Sequence, residues 1–279
     1  MRDLSNNTSL LSLNTATVRE RWKLEEIIEG CARHNIGGIS PWRDQIAQCG
    51  LQNAARLIEE AELSVSGVCR GGMFPASDAK GRQASIDDNL RAIDEAITLN
   101  AKCLVMVVGG LPEGSKDLSG AHSQVEDGIA AVLEYARSNN MPLAIEPLHP
   151  MYAADRACVN TLHHALDMCD RLGDGVGVTI DVYHVWWDPE LEGQIARAGR
   201  NDQICAFHVC DWLVPTTDML LDRGMMGDGV IDIPKIRRWV ENAGYNGQCE
   251  VEIFSKENWW KKNPDDVLLT CIERHQSVV

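Results

Sequence analysis

Leu143-Ala144-Ile145-Glu146, Val178-Thr179-Ile180-Asp181, Cys205-Ala206-Phe207-His208 and Glu250-Val251-Glu252-Ile253 repeat one pattern: a short β-prone run that breaks on a carboxylate or an imidazole. Working outward from these four, the candidate strands are 9–15, 36–40, 63–69, 103–108, 142–146, 176–181, 204–209 and 249–254. Amphipathic segments fill the gaps, among them 43–62, 85–99, 123–138, 160–172, 234–243 and 264–276. Pro234 follows Asp232 and Ile233, and Pro264 follows Asn263, so both of those helices start with a capping residue beside a first-turn proline. Eight strand–helix alternations in one domain of 279 residues predict an α/β fold, a single (β/α)8 TIM barrel, rather than an open doubly wound sheet. The first and sixth units carry the weakest periodicity. No glycine-rich phosphate loop of the GxGxxG or GxxxxGK[ST] type is present.

In such a barrel the active site forms at the C-terminal ends of the strands, so a polar residue that ends an apolar run is informative. A charge placed behind buried aliphatics needs a partner, because an isolated buried charge is very costly. One shared cation satisfies Glu146, Asp181, His208 and Glu252 together. Three oxygen donors and one imidazole suit a single divalent ion: Mn²⁺ first, with Mg²⁺ and Co²⁺ as alternatives, ahead of Zn²⁺ because thiolates are missing. Taken singly, Asp181 is equally a helix cap, His208 a hydrogen-bonded core histidine, and Glu146, before Pro147, a loop residue. Glu250 competes with Glu252, since period-two alternation puts both on one face; Glu252 is preferred as nearer the strand end. Four neighbouring strands breaking in the same way outweigh these separate readings.

The loops add a polyol-friendly lining. Trp42, Trp186, Trp187, Trp212, Trp259 and Trp260 all follow candidate strands, and an indole offers a flat apolar face for sugar C–H groups and one N–H for a hydroxyl. Each is equally an ordinary packing residue between loop and helix. Arg70 and His149 are further candidates for a substrate carboxylate or phosphate, or else structural hydrogen-bond partners.

Composition narrows the partners. Lys and Arg number 26 against 41 Asp and Glu, a net charge of −15, and no basic stripe exists to neutralise a phosphate backbone, which argues against nucleic acid. No apolar run approaches the length of a membrane span, and residues 1–13 lack the features of a secretory signal. The ten cysteines are scattered and never form CxxC. A cytoplasmic protein with no disulfide framework and no structural zinc is expected.

The segments Ala144-Ile145-Glu146-Pro147-Leu148-His149-Pro150, Thr179-Ile180-Asp181-Val182-Tyr183-His184-Val185-Trp186-Trp187, Phe207-His208-Val209-Cys210-Asp211-Trp212 and Glu250-Val251-Glu252-Ile253-Phe254 resemble the sugar phosphate isomerase/epimerase family. That family lies within the xylose isomerase-like barrel superfamily, the AP endonuclease 2 type of barrel. The resemblance runs along most of the chain. It implies that Glu146, Asp181, His208 and Glu252 are the metal ligands, with the two glutamates also facing the substrate carbon that exchanges a proton. It implies that His184 hydrogen-bonds a substrate oxygen. It further implies that Arg223, ahead of the Gly227-Asp228-Gly229 turn, reaches the substrate. Trp187, among the loop tryptophans, is a further substrate-binding candidate.

The function expected is a metal-dependent isomerase or epimerase acting on a keto-sugar or related polyol through an enediolate, with Glu146 and Glu252 as acid/base pair. The runner-up is a metal-dependent lyase, dehydratase or decarboxylase acting on an oxidised sugar, since the same intermediate can expel a leaving group or lose CO₂. An abasic-DNA endonuclease fits poorly, because that chemistry uses a multinuclear zinc site with more strand-end histidines. A non-catalytic sugar-binding barrel is disfavoured by the intact ligand set. Assembly as a homodimer or homotetramer through the loop faces is expected of such barrels.

Overall fold

The computed structural model, which describes residues 1–279, gathers the apolar runs into a ring of parallel strands. Going round, Gly38–Ser40 pairs with Leu11–Asn14, then come Cys249–Val251, Ile204–Val209, Val176–Asp181, Leu143–Ile145 and Leu104–Val107. The third strand closes the ring by changing partner. Ser64–Val65 pairs with the second strand, and Val68–Gly72 pairs with the fourth. The expected strand 63–69 is therefore two segments, broken at Ser66-Gly67. Across the seam the Cys69 N–H donates to Pro41 O at 3.1 Å.

The sixth and seventh strands match the expected limits. The eighth stops at Val251 rather than at 254, because its neighbour ends at Val209. Val209 O takes the Glu252 N–H at 3.2 Å, and Thr17 Oγ1 takes the Ile253 N–H at 3.1 Å.

The helices form where capping and an apolar stripe coincide. Asp232 accepts from Lys235 N at 3.2 Å and Asn263 from Asp265 N at 2.9 Å, so the two proline-started helices begin as the sequence predicts. The segment 43–62 is two helices, Arg43–Cys49 and Leu51–Glu60, because Gly50 takes φ +85 between them. The helix expected from 85 starts at Ala79, capped by Asp78. The weakly patterned first and sixth units each have their helix, Leu24–Arg33 and Leu191–Arg200. No helix is long and apolar enough to cross a membrane.

Apolar packing fills the space between strands and helices, while the barrel interior carries Ser12, Asn14, Ser40, Ser66, Thr179 and Glu250, all buried. A polar interior beneath the strand ends is the foundation of the site described below. One buried group lies outside it. His275 is fully buried in the last helix, Pro264–Ser277, and burial pulls its pKa down to about 4. The unfolded chain therefore binds a proton there more readily than the folded one. Its contribution to stability is complete above about pH 6.5 and is lost as pH falls through about 4, up to about 3 kcal/mol. A His275→Gln variant should lose less stability than the wild type in urea unfolding between pH 7 and 4; parallel losses would contradict this.

Candidate metal and catalytic site

Glu146 leaves the end of the fifth strand, Asp181 ends the sixth, His208 lies near the end of the seventh, and Glu252 follows the eighth. These strands are consecutive neighbours, so their ends converge on one point above the barrel interior. Ligand-competent atoms of the four residues all lie within 4.8 Å of one another, and all four residues are buried. Glu146 Oε1 and His208 Nδ1 are 3.2 Å apart, yet neither has a hydrogen-bond partner. Two buried polar atoms that approach without bonding each other fit ligands aimed at a common cation.

Glu250 is separated from Glu252 by one layer. Its Oε1 lies 3.3 Å from His208 Nε2, on the side of the ring away from the cluster, and accepts from Asn14 Nδ2 at 2.8 Å. Its Oε2 accepts from Ser66 Oγ at 2.7 Å. Both glutamates do face inward, as alternation requires, and Glu250 lies beneath the site within ion-pair distance of the imidazole. Asn14 ties the layers together, since its Nδ2 also donates to Glu252 Oε1 at 3.0 Å and its Oδ1 accepts from Trp42 Nε1 at 2.8 Å. Burial opposes a charge on His208, but Glu250, Glu146 and Glu252 outweigh it and push the ring up to about 10. The carboxylates that draw a proton onto this ring would equally draw a cation, which would displace that proton. Glu250→Gln keeps the volume and removes the charge. A fall in divalent-metal affinity of about 10–100-fold is expected by calorimetric titration, and unchanged affinity would refute a supporting role for this carboxylate.

Asp181 has two tasks. Its Oδ1 caps the short helix Val182–Val185 by accepting from Tyr183 N at 2.8 Å, and its Oδ2 accepts from Arg223 Nη1 at 3.0 Å. The same Nη1 donates to Glu252 Oε2 at 3.0 Å. The two carboxylates part company electrostatically. Burial raises both, but Arg223, His184 and His208 overcome it at Asp181, which stays below the ordinary range. At Glu252 burial prevails over Arg223, and Glu146 adds to it, so the acid is held up towards its protonated form.

His184 is buried, and burial drives its pKa down to about 3, so the ring is neutral. Its Nδ1 accepts from the His149 backbone N–H at 3.2 Å, which leaves the proton on Nε2. That nitrogen lies 3.1 Å from Arg223 Nη2. Two donors that close want an acceptor between them, the place for a ligand oxygen.

Arg223 reaches the site through a folded loop. Arg223-Gly224 pairs antiparallel with Asp211-Trp212, and the Arg223 N–H donates to Phe254 O at 2.9 Å. The Asp211 carboxylate accepts from Gly227 N at 2.9 Å and Ile231 N at 3.0 Å. A Cβ at Gly229 would come within 2.1 Å of Trp212 O, so the turn requires glycine there. The guanidinium stacks 4.4 Å above the Tyr183 ring.

One cavity at this end is lined by Glu146, Glu252, His184, Arg223 and Arg70, together with Trp42 and Phe254. Asp181 and His208 are buried and do not line it, and two of the substrate-contact candidates lie in the layer behind it. Trp187 donates its Nε1–H to His184 O at 2.8 Å, and the His149 ring stacks on Trp212 at 5.1 Å. Trp212 in turn stacks on Tyr183, and Trp260 Nε1 donates to Ala16 O. Of the six loop tryptophans, Trp42 alone lines the cavity, and Trp187 and Trp260 give their N–H groups to backbone carbonyls. Tyr152 and Arg156 also line it and were not among the sequence candidates; their loop has no periodic signal that points to the site.

Comparison with known proteins agrees with this layout. A crystal structure of a protein from Sinorhizobium meliloti 1021 shares 60% sequence identity, covers 98% of this chain and 99% of that one, and superposes with a TM-score of 0.96. An inosose isomerase of Bacillus velezensis (strain DSM 23117 / BGSC 10A6 / LMG 26770 / FZB42) is 23% identical over 282 residues, 96% of each chain. An IolI protein whose crystal structure has a zinc atom bound is 20% identical, with a TM-score of 0.82 over 96% of this chain and 97% of that one, a likeness of fold. The family model described as the xylose isomerase-like TIM barrel matches residues 26–270, nearly the whole ring of strands and helices with the four converging ligands. The chain belongs to that family.

Proposed function

We propose that this protein is a divalent-metal-dependent isomerase or epimerase that acts on the α-hydroxy ketone of a keto-sugar or related polyol. The observation that carries the reading is the convergence of Glu146, Asp181, His208 and Glu252 within 4.8 Å, with two of the four able to serve also as acid and base. Similarity to an inosose isomerase supports the substrate class, a ketone flanked by hydroxyls. The three-oxygen, one-nitrogen donor set accommodates Mn²⁺ first, with Mg²⁺ and Co²⁺, and the zinc of the IolI structure adds Zn²⁺ to the ions to be tried.

A cation in this site would polarise adjacent substrate oxygens and offset the negative charge that develops on them. Glu252, in its carboxylate form, accepts the proton from the carbon between those oxygens, which gives the enediolate; the burial that raises its affinity for a proton favours that transfer. Glu146 returns a proton. Delivery to the neighbouring carbon gives the ketose–aldose isomer, and delivery to the opposite face of the same carbon gives the epimer. The Nε2–H of His184 and the Nη2 of Arg223 hold a substrate oxygen between them. Trp42 and Phe254 provide apolar wall for C–H groups. Assembly as a homodimer or homotetramer through this face is part of the same proposal, supported by the exposed Val214 and Met219 in the loop after the seventh strand.

The test is proton NMR in D₂O with a panel of keto-sugars and inososes and metal-loaded enzyme. Deuterium should enter at the carbon next to the ketone, with a product of unchanged carbon skeleton. Elimination or loss of CO₂ would assign the lyase chemistry instead, and no exchange with any member would overturn the reading.

A further inference from the structure

Arg70 and Arg156 line the same cavity as the two glutamates, from different elements: Arg70 from the second half of the third strand, Arg156 from the loop after the fifth. Glu146, Glu252, His184 and Arg223 are buried, whereas Arg70 and Arg156 are partly exposed, which places the pair on the solvent side of the cavity wall. Arg70 also lines an adjoining groove of about 370 Å³ that opens past Trp42.

What sets these two apart is that neither forms an ion pair. The other arginines around the mouth are engaged: Arg19 with Asp44, and Arg43 with Asp88 at 2.8 Å and Glu95 at 2.5 Å. Arg223 is held by Asp181 and Glu252. The only side-chain hydrogen bond of Arg70 goes to Met73 Sδ at 3.2 Å, and Arg156 lies over the Tyr152 ring at 5.7 Å with no ion pair. In a chain with 41 acidic residues against 26 basic ones, a pair of cavity arginines without a carboxylate is not for want of acids. Burial and then the charge of Arg156 both weigh against the charge on Arg70, a cost that an anion between them would reverse.

We infer that Arg70 and Arg156 form a subsite for an anionic substituent of the substrate, a carboxylate or a phosphate, so that the ketose handled here is an acidic one. Two guanidinium groups that line one cavity from separate elements suit such a group in charge and in hydrogen-bonding capacity. The inference rests on the proposed sugar chemistry for what lies deeper in the cavity, while the anion contact itself does not depend on proton transfer.

Calorimetric titration of the metal-loaded full chain with D-fructose, D-fructuronate and D-fructose 6-phosphate separates the possibilities. The three share a ketose end and differ in their far end: neutral, carboxylate or phosphate. One of the two acids should bind roughly tenfold or more tighter than D-fructose, and which one does so assigns carboxylate or phosphate. That ratio should collapse towards one in Arg70→Met and in Arg156→Met, and shrink with added salt, while circular dichroism and melting temperature report an intact fold. Equal binding of neutral and acidic ketoses, no binding of either acid at millimolar concentration, or a preference that survives both substitutions would overturn the subsite. Arginine-dependent acid binding without deuterium exchange on any of the three would instead count against the catalytic reading and leave the subsite standing.

Discussion

Replacing Glu252 with Gln is expected to lower solvent deuterium incorporation into substrate by roughly 10³-fold, within the range that a positioned acid–base group contributes. Gln has the shape of Glu, and although Asn14 and Arg223 now donate to different carboxylate oxygens, its single amide oxygen can keep Arg223, which also retains Asp181. The fold should therefore survive. Because Glu252 is both ligand and base, the exchange must be read at saturating metal, with metal content measured on the same sample. A variant that holds its metal and still fails to exchange has lost the base; one that exchanges normally would remove Glu252 from the proton-transfer step.

The second large effect concerns Arg223. Its Nη1 bridges Asp181 and Glu252 at 3.0 Å each, and all three groups are buried. Removing one partner of a buried pair leaves uncompensated charge and typically costs about 3–5 kcal/mol. Arg223→Met should therefore lower the melting temperature by something on the order of 10 °C, and raise KM, since the guanidinium also faces the substrate oxygen beside His184. Arg223→Lys keeps the charge but cannot hold both carboxylates with one nitrogen and place a second beside His184, so an intermediate loss is expected. A melting temperature unchanged in Arg223→Met would show that the bridge contributes nothing to the fold.

Much of this site is legible in the sequence because strand ends report directly on it. A run buried on both faces tolerates a charge only where something answers it, so Glu146, Asp181, His208 and Glu252 betray their convergence without any knowledge of the turns between them. The choice between Glu252 and Glu250 is likewise a matter of strand position, although the task of Glu250 as support for His208 Nε2 needs the layers of the barrel interior to be seen.

What local pattern misses is decided by long-range geometry. The third strand reads as one run, and only ring closure makes it serve two neighbours in turn. Arg156 sits in Ala153-Ala154-Asp155-Arg156-Ala157, a stretch without periodicity that is drawn over the cavity by contacts with another loop: Cys158 N to Gly109 O at 2.9 Å and Leu111 N to Ala154 O at 2.8 Å. The tryptophans show the converse. Their positions after strands correctly put them at the catalytic end, but the direction of each ring follows from local turns, so Trp187 and Trp260 donate to backbone carbonyls rather than into the cavity.

The central claim is that one divalent cation is held by these four residues, and crystals grown with MnCl₂ and measured at the manganese edge test it most directly. A single anomalous peak per chain is predicted, about 2–2.3 Å from oxygens of Glu146, Asp181 and Glu252 and from His208 Nδ1. No peak there, or a peak coordinated by Glu250 in place of Glu252, would contradict it.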